Sequence, residues 1–278
     1  MLTKYFIRCI ITIYSSKTKE LKQKKKNCFT GKYSDFRGGV QMIKGTVHSI
    51  ETMGLVDGPG IRVVVFMQGC ALRCKYCHNP DTWSMEGEGV QEYTPEELVN
   101  KIKRFRSYFE KSGGGVTFSG GDPLRQPEFL KEALKLCKKE GIHTTLDTSG
   151  VGFGEYDEIL KYTDLVLFDV KHLTPEGYKE LTGMDISASL KFLEACQKAN
   201  TKMWIRQVVV PGITDSEEYI KDLKKFIDSL NNVEKVELLP YHLLGVNKYE
   251  TMGIRYRLEG VPAMDKDRCK ELYKLLER

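Results

Sequence analysis

Acidic residues are almost missing from the first 41 positions, where only Glu20 and Asp35 stand against ten lysines and arginines. The whole chain carries a formal charge of +5, so the residues after that stretch carry a net of −3. Basic character therefore belongs to the extension and argues against a body built to bind nucleic acid. Apolar runs long enough to span a bilayer are also missing. Cysteine is thinly spread except at one place, and none lies between Cys77 and Cys137. Without a secretion signal, that distribution speaks against a disulfide framework and for a metal.

What remains is ordinary for a globular protein: 278 residues, 41% hydrophobic and 29% charged, enough for one large α/β domain. Residues 1–41 read poorly as a domain. In "MLTKYFIRCIITIYSS" Arg8 interrupts the apolar stretch, no small-residue cleavage site follows, and "KQKKKN" comes next. The expectation is a basic N-terminal extension, disordered or not natively translated, with translation starting at Met42. "RGGVQM" can be encoded by a purine-rich ribosome-binding sequence running into a start codon. The domain is then residues 42–278.

From Met42 the chain alternates β-rich runs with helical patterns. Six runs, "RVVVFMQG", "GVTFSGG", "HTTLDTSG", "LVLFDVK", "MWIRQVVVP" and "VEKVELLPYH", are β-branched or continuously apolar, as buried parallel strands are. Thr94, Pro95 and Glu97 form a capping box that opens a helix carrying Leu98, Ile102, Phe105 and Phe109. Phe129, Leu130, Ala133, Leu134 and Cys137 make a second stripe, stopped by Gly141. Thr214 and Glu217 open a third, with Ile220, Leu223, Phe226, Ile227 and Leu230, and a last helix is expected near 265–277. Cys137 and Cys196 are expected as core fillers. Six β-α units imply a right-handed parallel sheet. Polar residues decorate many strand ends (Cys70, Gly120–Gly121, Asp147, Asp169 with Lys171, Arg206, His242), which favours a barrel rim over a single switch point. The fold class expected is α/β, an incomplete (β/α)6 TIM-like barrel.

"QGCALRCKYCHNP" concentrates Cys70, Cys74 and Cys77 as C-x3-C-x2-C, with His78 adjacent. Structural zinc usually brings its ligands in separated pairs, and adjacent Cys77 and His78 would struggle to share one tetrahedron. "CKYCH" also matches a haem-attachment pattern, which leaves Cys70 surplus. An iron–sulfur site fits the spacing best, with a zinc- or haem-binding module as the alternatives of another class. In a cubane [4Fe–4S] cluster three thiolates leave one iron open to an exogenous ligand.

C-x3-C-x2-C after a first strand, with Tyr76 before the third cysteine, resembles the radical S-adenosylmethionine (SAM) superfamily. "VDGPGIR", "CHNPDTW", "SGGGVTFSGGDPL", "CKKEGIHTTLDTSG", "WIRQVVVPG" and "VEKVELLPYHLLG" together are similar to its activating family for glycyl-radical enzymes, from Ile43 to about Gly253. The resemblance implies a radical SAM fold and one [4Fe–4S] cluster per chain, held by Cys70, Cys74 and Cys77, on which SAM is cleaved reductively to methionine and a 5′-deoxyadenosyl radical. That radical would leave a glycyl radical on a protein partner. The gap in cysteines between Cys77 and Cys137 points to the single-cluster type, whose partner is pyruvate formate-lyase; another glycyl-radical enzyme is the alternative. A flavodoxin or ferredoxin donor, an anaerobic cytoplasmic setting and neither membrane nor nucleic-acid partners are implied as well.

By the same resemblance SAM meets Tyr76, Cys77, His78, Gly121, Asp147, Asp169, Val170, Lys171, Arg206 and His242, while Asp57 in "DGPG" contacts the substrate protein. No side chain is expected as a general acid or base, since SAM carries the radical. Default readings stand beside these: packing for Tyr76, a tight turn for Gly120–Gly121, an ion pair for Arg206, a turn for Asp57. Two neighbouring carboxylates, Asp147 and Asp169, need a compensating charge, from Lys171 or from a monovalent cation held with Thr148. Where the family pattern has Gly-Gly-Glu this chain has Asp122, whose role the sequence leaves open.

Overall fold

The computed structural model describes residues 42–277; the expectations for residues 1–41 lie outside the described residues. One eight-stranded sheet organises them, formed by β1 (Gly45–Gly54), β2 (Arg62–Met67), β3 (Gln91–Tyr93), β4 (Gly115–Gly120), β5 (His143–Thr148), β6 (Leu165–Val170), β7 (Lys202–Val209) and β8 (Val233–Pro240). The spatial order is β3-β1-β2-β4-β5-β6-β7-β8. From β2 through β8 every neighbouring pair is parallel, and these six strands are the six apolar runs of the sequence. Val63, Val64 and Val65, or Val166 and Leu167, are fully buried because helices cover one face and the interior the other. The sheet ends on β3 and β8 and stays open, which is the incomplete barrel expected.

Two strands were not legible. β1 pairs antiparallel with β2 and with β3, extending the sheet past the first parallel strand. Its sequence, GTVHSIETMG, buries only its ends and Val47 and so carries no apolar run. β3 is three residues long and owes its form to pairing with Gly45–Val47.

The helices differ from expectation in two places. The first apolar stripe is one helix in the sequence but three pieces in the fold: Pro95–Ile102, a 3-10 turn at Lys103–Phe105, and Arg106–Ser112. The tighter turn advances the chain by three residues rather than 3.6, which leaves Phe105 half-buried while Phe109 still reaches the core. Thr214 does not cap the third helix. Its buried hydroxyl donates to Val208 O and accepts from Val210 N, and Ser216 caps Glu217–Asp228 instead. The second stripe is as read: Pro127–Lys139 buries Phe129, Leu130, Ala133, Leu134 and Cys137. Cys196 is fully buried on Ser187–Ala199, and the last helix spans Lys266–Lys274. Among the described residues no helix is long and apolar enough to cross a membrane.

The capping box at Thr94 is formed in both directions, Glu97 N to Thr94 Oγ1 at 3.2 Å and Thr94 N to Glu97 Oε2 at 2.8 Å. Thr94→Ala should lower stability by about 1 kcal/mol and the melting temperature by roughly 2–4 °C for a domain of this size. An unchanged thermal unfolding curve would contradict that role.

Candidate active site

The cysteines sit on a loop that leaves β2 at Met67 and returns at Trp83. Its shape is set by backbone bonds: Gly69 N to Thr82 O at 2.9 Å, Cys70 N to Trp83 O at 3.2 Å, Arg73 N to Thr182 O at 2.8 Å and Lys75 N to Leu181 O at 2.9 Å. Arg73 donates to Cys70 O and Leu72 O, and Tyr249 donates its hydroxyl to Cys77 O at 2.9 Å. Gly69 adopts φ +95°, which a side chain would resist. Cys70, Cys74 and Cys77 are free thiols on one cavity of about 280 Å³.

Burial pushes the Cys70 thiol up to about 12 and the Cys74 thiol up to about 11. Cys77 is raised too, against the Asn79 backbone N–H and the Trp83 indole. Such thiols are charged only when a metal takes the proton's place. Among the described residues no three His, Cys, Asp or Glu side chains converge on a point where one metal ion could bind. A cubane needs no such convergence, because each of its thiolates binds a different iron. Three soft donors around one cavity therefore fit the cluster better than a single zinc.

Acids line the same cavity. Asp147, at the end of β5, accepts from Arg206 at 3.3 Å and from the Ser119 hydroxyl at 2.6 Å. Asp169 on β6 accepts from Lys171 Nζ at 2.8 Å. Arg206 also reaches Glu237, its cross-strand neighbour on β8, at 3.1 Å. Burial, then the Asp169 charge, push Asp147 up to about 6 against the pull of Arg206. Burial works against the Lys171 ammonium, but Asp169, Tyr76 and Cys74 outweigh it and hold its pKa well above the usual lysine value. The Lys171 ammonium is 5.8 Å from the Tyr76 ring centroid, and the buried Tyr76 hydroxyl has no hydrogen-bond partner among the described residues. An orphaned buried hydroxyl beside a polar cavity is suited to a polar ligand.

Gly120 and Gly121 bring β4 against the cysteine loop. A β-carbon on Gly121 would come within 2.3 Å of Gly69 O, and one on Gly120 within 2.3 Å of Met67 N at φ +110°. The tight-turn reading of the pair is thus met by the fold itself, while both residues also line the cavity. Asp122 is nearly fully buried and accepts four bonds, from Thr148 Oγ1, Leu124 N, and the backbone and hydroxyl of Ser149. That side chain ties the end of β5 to the turn after β4, an architectural task open to a carboxylate of this length.

Asp57, Cys70, Cys74, Tyr76, Cys77, His78, Gly121, Asp147, Asp169, Lys171 and Arg206 all line the one cavity, with Thr148. Val170 and His242 do not. Val170 is a buried strand residue, and the His242 ring stacks on His78 at 3.9 Å while His242 O meets His78 Nε2 at 3.0 Å. Ser119, Glu237, Trp83 and Tyr249 went unnoticed in the sequence. Ser119 was findable, because it alternates with Thr117 on the inward face of β4; Tyr249 carried no signal, since its contact with Cys77 O is purely tertiary.

A cysteine loop at the end of the first of six parallel strands, on one cavity with paired carboxylates and cations, is the arrangement of a radical SAM protein, and residues 64–226 match the model of the Radical SAM superfamily. Within it the chain belongs to the family of pyruvate formate-lyase-activating enzymes. It is 58% identical over 236 residues to the pyruvate formate-lyase-activating enzyme of Clostridium pasteurianum, covering 85% of this chain and 98% of that one. The enzyme of the same name from Staphylococcus epidermidis is 48% identical over 240 residues, 84% and 95% of the two chains. A radical SAM methyltransferase from Sphaerobacter thermophilus shares the fold, with TM-score 0.53 and 16% identity over 77% of this chain and 63% of that one.

With its pKa raised from 3.8 to about 6, Asp147 binds a proton in the folded state that the unfolded chain has already released. Its contribution makes stability fall as pH climbs from about 4 to about 6. Asp147→Asn should remove that slope, so the wild-type and variant stability curves should diverge across this window in denaturant titrations. Parallel curves would contradict the assignment.

Proposed function

We propose that the protein activates pyruvate formate-lyase by generating a glycyl radical on it, with a [4Fe–4S] cluster and SAM as cofactors. The observation that carries this is three thiols, and no fourth cysteine, on a cavity also lined by a paired set of carboxylates and cations. Cys70, Cys74 and Cys77 would hold the cluster. When bound, cluster and SAM supply a 5′-deoxyadenosyl radical able to take a hydrogen atom from a glycine Cα.

The chain's own part is to bind, orient and exclude water. Tyr76, His78, Gly121, Asp147, Asp169 and Lys171 receive SAM from the walls of the cavity, with Val170 through its backbone and His242 by fixing His78. Lys171 and Arg206 hold their positive charges beside Asp169 and Asp147, so that the carboxylate of SAM enters a region already neutralised. Arg206, bound to Asp147, Glu237 and Val56 O, acts on SAM or substrate chiefly through those partners. Asp57 meets the substrate protein. No side chain is needed as general acid or base. A monovalent cation shared by Asp147, Thr148 and Asp169 is part of the same reading, because the two carboxylates line one cavity into which SAM would bring a third. Splitting a sulfonium demands the low end of the roughly −700 to +450 mV range of iron–sulfur potentials, which suits a flavodoxin or ferredoxin donor in an anaerobic cytoplasm.

Anaerobically reconstituted protein should carry about four irons per chain and, with SAM, a reductant and pyruvate formate-lyase, give the doublet of a glycyl radical by electron paramagnetic resonance. Cys74→Ala should lose both iron and radical. Iron-loaded wild-type protein that leaves pyruvate formate-lyase silent, while another glycyl-radical enzyme responds, would overturn the choice of partner. SAM should bind more tightly in sodium or potassium salts than in a bulky organic cation; equal affinity in all of them would rule out the shared cation.

A further inference from the structure

Arg62 is among the largest side chains with no exposure at all, yet among the described residues it makes no ion pair. A buried guanidinium without a carboxylate is costly, and an apolar residue would fill the same volume without that cost. Its hydrogen bonds say what it is there for. Nε donates to Thr117 Oγ1 at 2.6 Å, one terminal nitrogen to Pro59 O at 2.9 Å, and the other to Val116 O at 2.6 Å and Thr145 Oγ1 at 2.9 Å. Thr117 in turn donates its hydroxyl to Asp57 O at 2.6 Å, and Arg206 donates to Val56 O at 2.7 Å. Three carbonyls of one short loop, those of Val56, Asp57 and Pro59, are therefore gripped from beneath by two arginines and a threonine. Gly58 lies directly over the Arg62 stem: at φ +126° a β-carbon there would stand 3.0 Å from Arg62 Cδ.

The one polar side chain of the loop is Asp57. It accepts no hydrogen bond from any described residue, is half-buried, and lines the cavity. Burial raises its pKa, against the pull of Arg206 and Arg62. On the outer side of the same loop Leu55 and Val56 are 71% and 72% exposed. The loop thus runs from the surface to the cavity, with three of its carbonyls held and the Asp57 carboxylate without a hydrogen bond.

We propose that Arg62 and Thr117 are positioning residues, which lock the Leu55–Pro59 loop so that Asp57 is presented, pre-oriented and unpartnered, to a backbone N–H of the polypeptide that enters the cavity. This rests on the function proposed above for what enters, but the lock itself does not. An acceptor fixed in advance binds without an ordering cost, so the lock should set affinity for the protein substrate rather than turnover of SAM. Thr117 is outside the cavity lining, which separates its effect from that of the cofactor residues.

Thr117→Val keeps the shape and removes the hydroxyl that links Arg62 to Asp57 O; Thr117→Ser restores it. In the reconstituted holoprotein, Thr117→Val should speed amide hydrogen exchange in the peptide covering residues 55–60 and raise KM for pyruvate formate-lyase roughly tenfold, the equivalent of one net hydrogen bond. The kcat, and 5′-deoxyadenosine formation without the protein substrate, should stay within about twofold, as expected when only a ground-state binding contact is lost. Thr117→Ser should return both exchange and KM to wild-type values. Unchanged exchange in Thr117→Val would overturn the lock, whatever the substrate proves to be. Faster exchange with unchanged KM, or a parallel loss of deoxyadenosine formation, would overturn the role in protein recognition. A wild-type enzyme silent toward pyruvate formate-lyase would refute the function, while the exchange result would still decide the lock.

Discussion

Burial penalises every charge in the cavity at the carboxyl ends of the strands, and the arrangement of the site follows from how each penalty is met. The thiols of Cys70 and Cys74 are held neutral by burial. Asp169 is met by Lys171 and Asp147 by Arg206, each within 3.3 Å. Asp122 is met by four hydrogen bonds and no cation. Among the described residues the Tyr76 hydroxyl and the Asp57 carboxylate stand on the cavity without a hydrogen-bond partner, in company with the three sulfurs. These are the groups through which ligands enter the account.

The same logic explains which parts were legible in the sequence. Six parallel strands announce themselves because both faces are buried and their residues have no polar alternative; β1 and β3 do not, because an antiparallel margin can stay half-exposed and mixed in composition. The cysteine loop was legible because C-x3-C-x2-C is a local spacing. Asp147, Asp169 and Lys171 were legible as acids and a base at strand ends, but the pairing of Arg206 with Asp147 across two strands was not, since register is decided by the whole sheet. Asp122 looked like a departure from a family pattern and proves to be a structural tie. His242 looked like a cavity residue and lies behind His78 instead. In both cases the strand end was read correctly, and the direction of the side chain was beyond what spacing can show.

Two differently built scaffolds meet at the cavity. The sheet and the cysteine loop are joined by backbone bonds and by glycines that allow no β-carbon, which suits a centre whose geometry must not vary. The Asp57 loop is held only by side chains, Arg62, Thr117 and Arg206, beneath an exposed apolar surface. Under the proposed function, a cofactor wall and a separately anchored entry loop would let one protein keep its chemistry constant while recognition of a polypeptide is tuned elsewhere.

The central claim is that three cysteines hold a cluster with one iron left free for SAM. Mössbauer spectroscopy of the iron-57 reconstituted protein, with and without SAM, tests it most directly. The account predicts that one iron of the cluster changes its isomer shift when SAM is added while the others keep theirs. A spectrum indifferent to SAM, with every iron alike, would contradict it.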